Sequence, residues 1–125
     1  IKIIKAFSRQ NMAYANKEQI RQVIQNLMLN ALQAMEGAGN LCLEIKTVNL
    51  EDRKQYTAIK VTDDGCGIEE KDLKNVFEPF FTNKVKGTGL GLAIVSRIVD
   101  GYGGKINIES KINQGTSVTV MLPRN

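Results

Sequence analysis

Histidine is absent from this sequence, and so is tryptophan, while cysteine and proline each occur only twice in 125 residues. Without histidine, the segment cannot carry a histidine-based catalytic triad, a histidine zinc site or a phosphohistidine of its own. Cys42 and Cys66 do not have the spacing of metal ligands, and two cysteines do not make a disulfide framework. We interpret both as free thiols, which is typical of a reducing cytosol.

Long apolar runs and strong charge are absent as well. No apolar stretch approaches the roughly 20 residues that a membrane span requires, and no signal-peptide pattern opens the chain. The net charge of +4 is mild, and scattered Lys and Arg without interleaved aromatics argue against nucleic-acid binding. The composition therefore predicts one cytoplasmic domain over residues 1–125. Because the chain opens on a strand-like run without Met, we expect it to be a fragment of a longer protein.

The spacing of apolar residues predicts the element order β-α-β-β-α-α-β-β. This order is typical of an α+β fold, a two-layer α/β sandwich in which about three helices cover one face of a mixed, mostly antiparallel sheet. The expected strands are 1–7, 41–50, 56–64 and the two runs around a turn near 113–115, and the expected helices are 17–35, 69–76 and a run ending near 102.

Three carboxamide side chains form a line along the first long helix. At about 100° per residue, Asn26, Asn30 and Gln33 fall within roughly 60° of one another, well away from the apolar stripe. Carboxamide oxygens are hard, neutral ligands that can complete a magnesium shell made otherwise of water and phosphate oxygens. The same residues would also suit a solvated helix face, although Asn is disfavoured in mid-helix. The helix alone leaves both interpretations open.

Asp63 ends a predicted strand and is followed by Gly65 and Gly67. A strand-end carboxylate can accept a hydrogen bond from the exocyclic amine of adenine, whereas guanine presents a carbonyl at that position. The glycines would let a flat ring approach the backbone. A simple Asp-Gly turn would have the same sequence, and Asp64 is expected to serve that turn.

Glycines alternate in "KGTGLGLAIV", at Gly87, Gly89 and Gly91, and lead directly into an apolar helical run. The stretch lacks the ending of a P-loop, and Leu92 occupies the place of the third glycine in a dinucleotide fingerprint. Successive N–H groups at a helix start can still form a nest for an anion. A flexible hinge would be equally rich in glycine.

In order and spacing, these motifs resemble those of the ATP-binding catalytic domain of sensor histidine kinases. That domain belongs to the GHKL superfamily, with the gyrase, MutL and heat-shock chaperone ATPases. "NLMLNALQAM" resembles the N box, "DDGCGI" the first Gly box, "FEPFFTNK" the F box, "GTGLGLAIV" the second Gly box and "QGTSVTV" the terminal Gly-Thr motif. The resemblance covers essentially the whole chain and implies the Bergerat fold, with ATP between the helices and a mobile lid. Only Val85 and Lys86 separate the F box from the second Gly box, so the lid is expected to be short, as in nitrogen-regulator-like kinases.

The resemblance also implies a role for each matching residue. Asn30 would coordinate Mg²⁺ with the assistance of Asn26, and these two are the implied catalytic residues. Asp63 would bind the adenine amine, Thr116 would support the adenine side, and Lys84 would meet the γ-phosphate. The full ATP-binding set implied is Asn26, Asn30, Gln33, Asp63, Gly65, Gly67, Ile68, Phe81, Lys84, Gly87, Thr88, Gly89, Leu90, Gly91, Leu92 and Thr116.

The residue type at Asn26 helps to distinguish between the possible phosphoryl acceptors. ATP-hydrolysing relatives and related serine kinases have a general-base glutamate at this position, and a carboxamide cannot take a proton near neutral pH. The resemblance therefore implies transfer of the γ-phosphoryl group to a histidine on a separate dimerisation domain of the same full-length kinase, with a cognate response regulator as the second partner. An ATPase or serine kinase of this fold, and a nucleotide-binding pseudo-kinase, are the alternatives. The isolated domain is expected to be monomeric.

Overall fold

The computed structural model describes residues 2–7, 17–35, 39–50, 53–78 and 91–123. Within these residues the elements follow one another in the predicted order, and the predicted α+β architecture is confirmed. The elements are β1 (Lys2–Phe7), α1 (Lys17–Met35), β2 (Asn40–Asn49), β3 (Gln55–Asp63), α2 (Glu70–Leu73), α3 (Gly91–Gly101), β4 (Lys105–Lys111) and β5 (Gly115–Pro123).

The described strands form one five-stranded sheet in the order β1-β2-β3-β5-β4. β1 pairs with β2 in parallel, while the other three pairings are antiparallel, so the sheet is mixed and mostly antiparallel as predicted. In the pairing of β3 with β5, Asp63 lies directly opposite Thr116. The register therefore brings together two residues that the sequence separates widely.

One hydrophobic core joins α1 and α3 to one face of the sheet. Along β5 the side chains alternate between buried and partly exposed, as expected for a strand with one covered face. On α1 the buried residues repeat with helical spacing, and each such side chain contributes about 1.5–3 kcal/mol when it is fully buried. Fully buried core members include Val23, Leu27, Leu41, Ile59, Val95, Val99, Val120 and Leu122.

The second helix is shorter than the sequence predicts. We expected a helix over 69–76, but α2 covers only Glu70–Leu73 and is followed by turns. The backbone N–H groups of Asp72, Asn75 and Glu78 each donate to the carbonyl three residues earlier, at 2.9–3.0 Å. Such bonds tighten the chain beyond an α-helical turn, and Val76 is buried in the core there.

The end of α3 is fixed by a glycine cap. Gly103 has φ +69°, and its N–H donates to the Asp100 carbonyl at 3.1 Å. The Gly104 N–H donates to the Val99 carbonyl at 2.9 Å, which completes a Schellman motif. In the described part of the chain, no helix combines the length and apolarity needed to cross a bilayer.

Candidate nucleotide-binding site

The three carboxamides predicted from the periodicity of α1 are all partly exposed, whereas Val23 and Leu27 of the same helix are buried. The start of α3 lies beside this polar line. A Cβ on Gly91 would lie 3.9 Å from the side-chain oxygen of Asn26. The fold thus brings the polar line of α1 to the first residue of α3.

The first turn of α3 contains Gly91 and Leu92. The side chain of Leu92 belongs to the core and is 7% exposed, so this residue can offer only its backbone to a ligand. N–H groups in the first turn of an α-helix have no partner within the helix, and the helix dipole makes this end positive. An anion beside Asn26 would therefore be stabilised. Six predicted binding residues lie outside the described residues: Phe81, Lys84, Gly87, Thr88, Gly89 and Leu90.

Asp63 lies buried at the end of β3, with 6% of its surface exposed. Its Oδ1 accepts a hydrogen bond of 2.9 Å from the Gly65 N–H, which fixes the direction of the carboxyl group. Thr116, directly opposite on β5, is 5% exposed. Two polar side chains thus end the rows of apolar residues on the covered face of the sheet, where a carboxylate and a hydroxyl can both bind a polar ligand edge.

A hydroxyl network that the sequence did not predict surrounds Thr116. The Ser110 Oγ lies 2.7 Å from the Thr116 Oγ1, and the N–H of Ile68 donates to the same Ser110 oxygen at 2.7 Å. Ser110 also donates to the Gly115 carbonyl at 3.0 Å. One signal was present in the sequence: in "KINIES", Ser110 occupies the place of a third inward residue after Ile106 and Ile108.

The glycines of the first Gly box are needed by the protein's own packing. A Cβ on Gly65 would lie 2.6 Å from the Ala34 carbonyl oxygen, and the Cys66 N–H donates to that oxygen at 3.2 Å. Gly67 has φ +76°, and a Cβ there would lie 2.1 Å from the Lys111 carbonyl oxygen. The loop is therefore clamped between the end of α1 and the β4–β5 hairpin, a reason for glycine that the sequence analysis did not give.

Asp64 does more than serve the turn. Its carboxylate accepts hydrogen bonds from the Asn40 backbone N–H at 2.8 Å and from the Asn40 Nδ2 at 2.9 Å. These bonds favour the charged form and hold the pKa of Asp64 below its usual value. Asp64 thereby ties the first Gly box to the start of β2.

A cleft of about 540 Å³ opens at this end of the sheet. Its walls include Asp63, Ser110 and Thr116 from the covered face of the sheet, Thr62 and Ser117 from the other face, and Leu73 from α2. This volume lies within the range of about 300–1,000 Å³ that small-molecule sites occupy. The predicted adenine-binding residues Asp63 and Thr116 therefore border a space of suitable size.

The donor chemistry of α1 suits one kind of metal site. Among the described residues, no group of three or more His, Cys, Asp or Glu side chains is placed to hold a metal ion. Mg²⁺, however, is commonly bound through one or two protein oxygens together with phosphate oxygens and water. The partly exposed carboxamide of Asn30 fits such a site, in which the nucleotide supplies the anionic ligands.

Comparison with known proteins gives concordant matches. The profile of the family described as histidine kinase-, DNA gyrase B-, and HSP90-like ATPase matches residues 15–125. Sporulation kinase D of Bacillus subtilis (strain 168) is 46% identical over 107 residues, which are 86% of this chain and 20% of the relative. The chain thus spans about a fifth of the length of this curated relative.

Solved structures agree with the sequence matches. The nucleotide-free catalytic domain of histidine kinase ThkA has a TM-score of 0.79 at 31% identity, over 98% of this chain and 79% of that one. Full-length ShkA in complex with AMPPNP has a TM-score of 0.80 at 28% identity, over 98% of this chain and 25% of that one.

Proposed function

This chain belongs to the histidine kinase-, DNA gyrase B- and HSP90-like ATPase family, and we propose that residues 1–125 are the catalytic and ATP-binding domain of a sensor histidine kinase. In this role the domain binds Mg-ATP and donates the γ-phosphoryl group to a histidine on a separate dimerisation domain, from which a cognate response regulator receives it. One observation carries the proposal: the first residue of α3 lies against Asn26, a carboxamide at the position of the base in ATP-hydrolysing relatives.

The two ends of the nucleotide are assigned to the middle and to the C-terminal end of one helix, α1. The phosphates lie at the start of α3 beside Asn26, and the adenine lies at Asp63, next to the loop that packs on Ala34. Asn26 and Ala34 are about two helical turns apart, which is roughly 12 Å along α1. A single rigid helix therefore sets the distance between the base and the phosphates, with Gln33 and Asn30 between them.

Asn30 is the residue that would hold Mg²⁺, and Asn26 would assist it. The ion would neutralise charge on the transferring phosphoryl group and on the departing diphosphate. N–H groups at the first turn of α3 would stabilise the same charge from another side. Transfer thus depends on positioning and charge neutralisation, which these backbone and carboxamide groups can provide without a proton acceptor.

The phosphoryl acceptor is inferred from the side chain of Asn26, which cannot take up a proton. Water or a serine hydroxyl must lose a proton as it attacks phosphorus, but a neutral imidazole nitrogen attacks with a lone pair. A nitrogen–phosphorus bond forms, the bond between the γ-phosphorus and the bridging oxygen breaks, and ADP leaves with that electron pair. Since this chain has no histidine, the acceptor lies on another segment. The relative named sporulation kinase D supports a kinase reaction, and the similarity to the catalytic domain of histidine kinase ThkA supports histidine as the acceptor.

Nucleotide binding by Asp63→Asn is the first test. Asparagine keeps an oxygen for the Gly65 N–H, so the loop should remain intact, but it loses the charge that binds the adenine amine. We expect ADP affinity to fall by about 10- to 100-fold, as for a hydrogen bond to a charged group, when calorimetry compares the variant with the parent. Asp100→Asn, at an exposed position on α3, is the matched control and should bind like the parent.

Transfer is tested with labelled ATP and a histidine-bearing dimerisation fragment. Acid-labile, base-stable label on the fragment is expected, and Asn30→Ala should abolish it. Steady release of phosphate without transfer would instead identify an ATPase, and binding without either reaction would identify a pseudo-kinase. Equal ADP binding by Asp63→Asn and the parent would show that the adenine site is assigned wrongly.

A further inference from the structure

Ser110 is the meeting point of three segments at the adenine end of the cleft. Its Oγ accepts the N–H of Ile68 from the first Gly box, and it contacts both the Thr116 hydroxyl and the Gly115 carbonyl of the terminal Gly-Thr motif. A serine hydroxyl has one proton and two lone pairs. Three contacts at 2.7, 2.7 and 3.0 Å therefore use its whole bonding capacity.

This saturation fixes the hydroxyl of Thr116. Because Ser110 donates its proton to the Gly115 carbonyl, Thr116 must be the donor in its contact with Ser110, and only lone pairs of Thr116 face the ligand. Thr116 could present its proton to a ligand only if Ser110 gave up the hydrogen bond to the Gly115 carbonyl.

Resting on the proposed function, we infer that Ser110 is a positioning residue for base recognition. It holds the Thr116 hydroxyl in one donor-or-acceptor state beside Asp63, and through the Ile68 N–H it holds the loop that carries the rest of the base pocket. Asp63 and Thr116 are a directly opposed pair on antiparallel strands, where Cβ atoms are about 4.5–5.5 Å apart. Both side chains therefore address the same edge of the base.

Fixing one hydroxyl makes the site selective. A hydroxyl that rotates freely can donate to a carbonyl or accept from an amine, so it tolerates either base edge. A hydroxyl held by Ser110 matches one edge and leaves a buried polar atom unpaired against the other, which is the source of strong discrimination between bases. In this site the Asp63 carboxylate contributes the negative charge, and Ser110 keeps the Thr116 hydroxyl from rotating.

The test compares ADP with inosine diphosphate, which differs from ADP in carrying a carbonyl and an N–H at the edge where adenine has its amine. Calorimetry gives both dissociation constants for the 125-residue chain, and the readout is their ratio. We expect Ser110→Ala to lower the ratio of the inosine diphosphate dissociation constant to the ADP dissociation constant by about fivefold, the equivalent of one neutral hydrogen bond. If Ser110 had only a structural role, Ser110→Ala would weaken the binding of both nucleotides equally and leave the ratio unchanged.

Three further variants complete the design. Ser110→Thr keeps the hydroxyl and should keep the ratio of the parent. Thr119→Val removes a hydroxyl of the same strand from a partly exposed residue that pairs with Lys60 and Asn107 and does not line the cleft, and it should also keep the ratio. Thr116→Val removes the group that Ser110 positions, so it should narrow the ratio even if Ser110→Ala does not fold.

The outcomes separate this inference from the proposed function. If the parent binds ADP and prefers it, but neither Ser110→Ala nor Thr116→Val changes the ratio, the positioning role is overturned and the nucleotide site stands. If the parent binds neither nucleotide, the proposed function fails, and this inference fails with it. We expect Ser110→Ala and Thr116→Val each to lower the ratio of the two dissociation constants, and we expect the double variant to lower it no further.

Discussion

The two glycine motifs of this chain use glycine for opposite reasons. In the first, the missing side chains of Gly65 and Gly67 leave room for the protein's own backbone, at the carbonyls of Ala34 and Lys111. In the second, Gly91 is the one glycine that the structure describes, and the nearest described atom to a Cβ there is the side-chain oxygen of Asn26 at 3.9 Å, an ordinary contact. Glycine closes the structure in the first motif, whereas Gly91 leaves space, among the described residues, beside a polar helix face.

Gly67→Ala should have the largest effect on this comparison. Alanine would need a positive φ of +76° and would place a Cβ 2.1 Å from the Lys111 carbonyl oxygen. Backbone strain and clash together should lower the free energy of unfolding by roughly 3 kcal/mol or more, measured by urea denaturation.

Gly103→Ala is the matched control, because its φ of +69° is similar but a Cβ there meets no atom of the described residues within 4 Å. This variant should lose only the strain, about 1–2 kcal/mol. Equal losses at the two positions would mean that Lys111 moves away easily, and the description of a clamped loop would be wrong.

Gly91→Ala should have an intermediate effect, because it should weaken ADP binding without destabilising the fold. Because the described neighbours leave room for a Cβ, alanine should stabilise α3 by up to about 1 kcal/mol. The added methyl group would stand between the backbone N–H groups and a phosphate, so ADP affinity should fall roughly tenfold while adenosine affinity stays unchanged.

Gly101→Ala, at the other end of α3, is the control for the helix itself, since within the described part of the chain a Cβ there also has no neighbour closer than 4 Å. It should gain helix stability and bind ADP like the parent. Unchanged ADP binding in Gly91→Ala would remove the contrast between the two motifs.

Asp64 should give the smallest effect, since it is exposed to solvent. The hydrogen bonds from Asn40 lower the pKa of Asp64. The charged form therefore stabilises the fold at pH values above the ordinary pKa of 3.8. This contribution is lost as the pH falls through the lowered pKa. Urea midpoints at pH 6 and pH 3 should therefore differ less in Asp64→Asn than in the parent, and an identical difference would show that the tie to β2 does not depend on charge.

Local patterns sufficed for much of the fold and for part of the site. The helix from Lys17 to about Met35 was predicted because its apolar period is long and uninterrupted. Asn26 and Asn30 followed from the same period, which placed them away from the core. Asp63 followed from its position at the end of a strand.

What was missed depends on contacts between distant segments. The bonds of Ser110 exist only because β4 and β5 pair in one register and the first Gly box packs on their hairpin. The reason for Gly65 depends on the end of α1, and the early end of α2 depends on turns that bury Val76. No local period encodes these contacts, so sequence alone identified the residues of the first Gly box without the reason for its glycines.

The position of β5 in the sheet has a consequence for how the protein is made. β5 is the last described strand along the chain, yet it lies between β3 and β4 rather than at an edge. During synthesis from the N-terminus, Asp63 therefore cannot pair with Thr116 until almost all of the described chain has been synthesised. Pairing over such a long stretch of sequence is slow, and it completes the sheet and the cleft beside Asp63 and Thr116 in the same step. That cleft therefore exists only in chains that have finished folding, and a ligand that binds there stabilises them by mass action against every incomplete form.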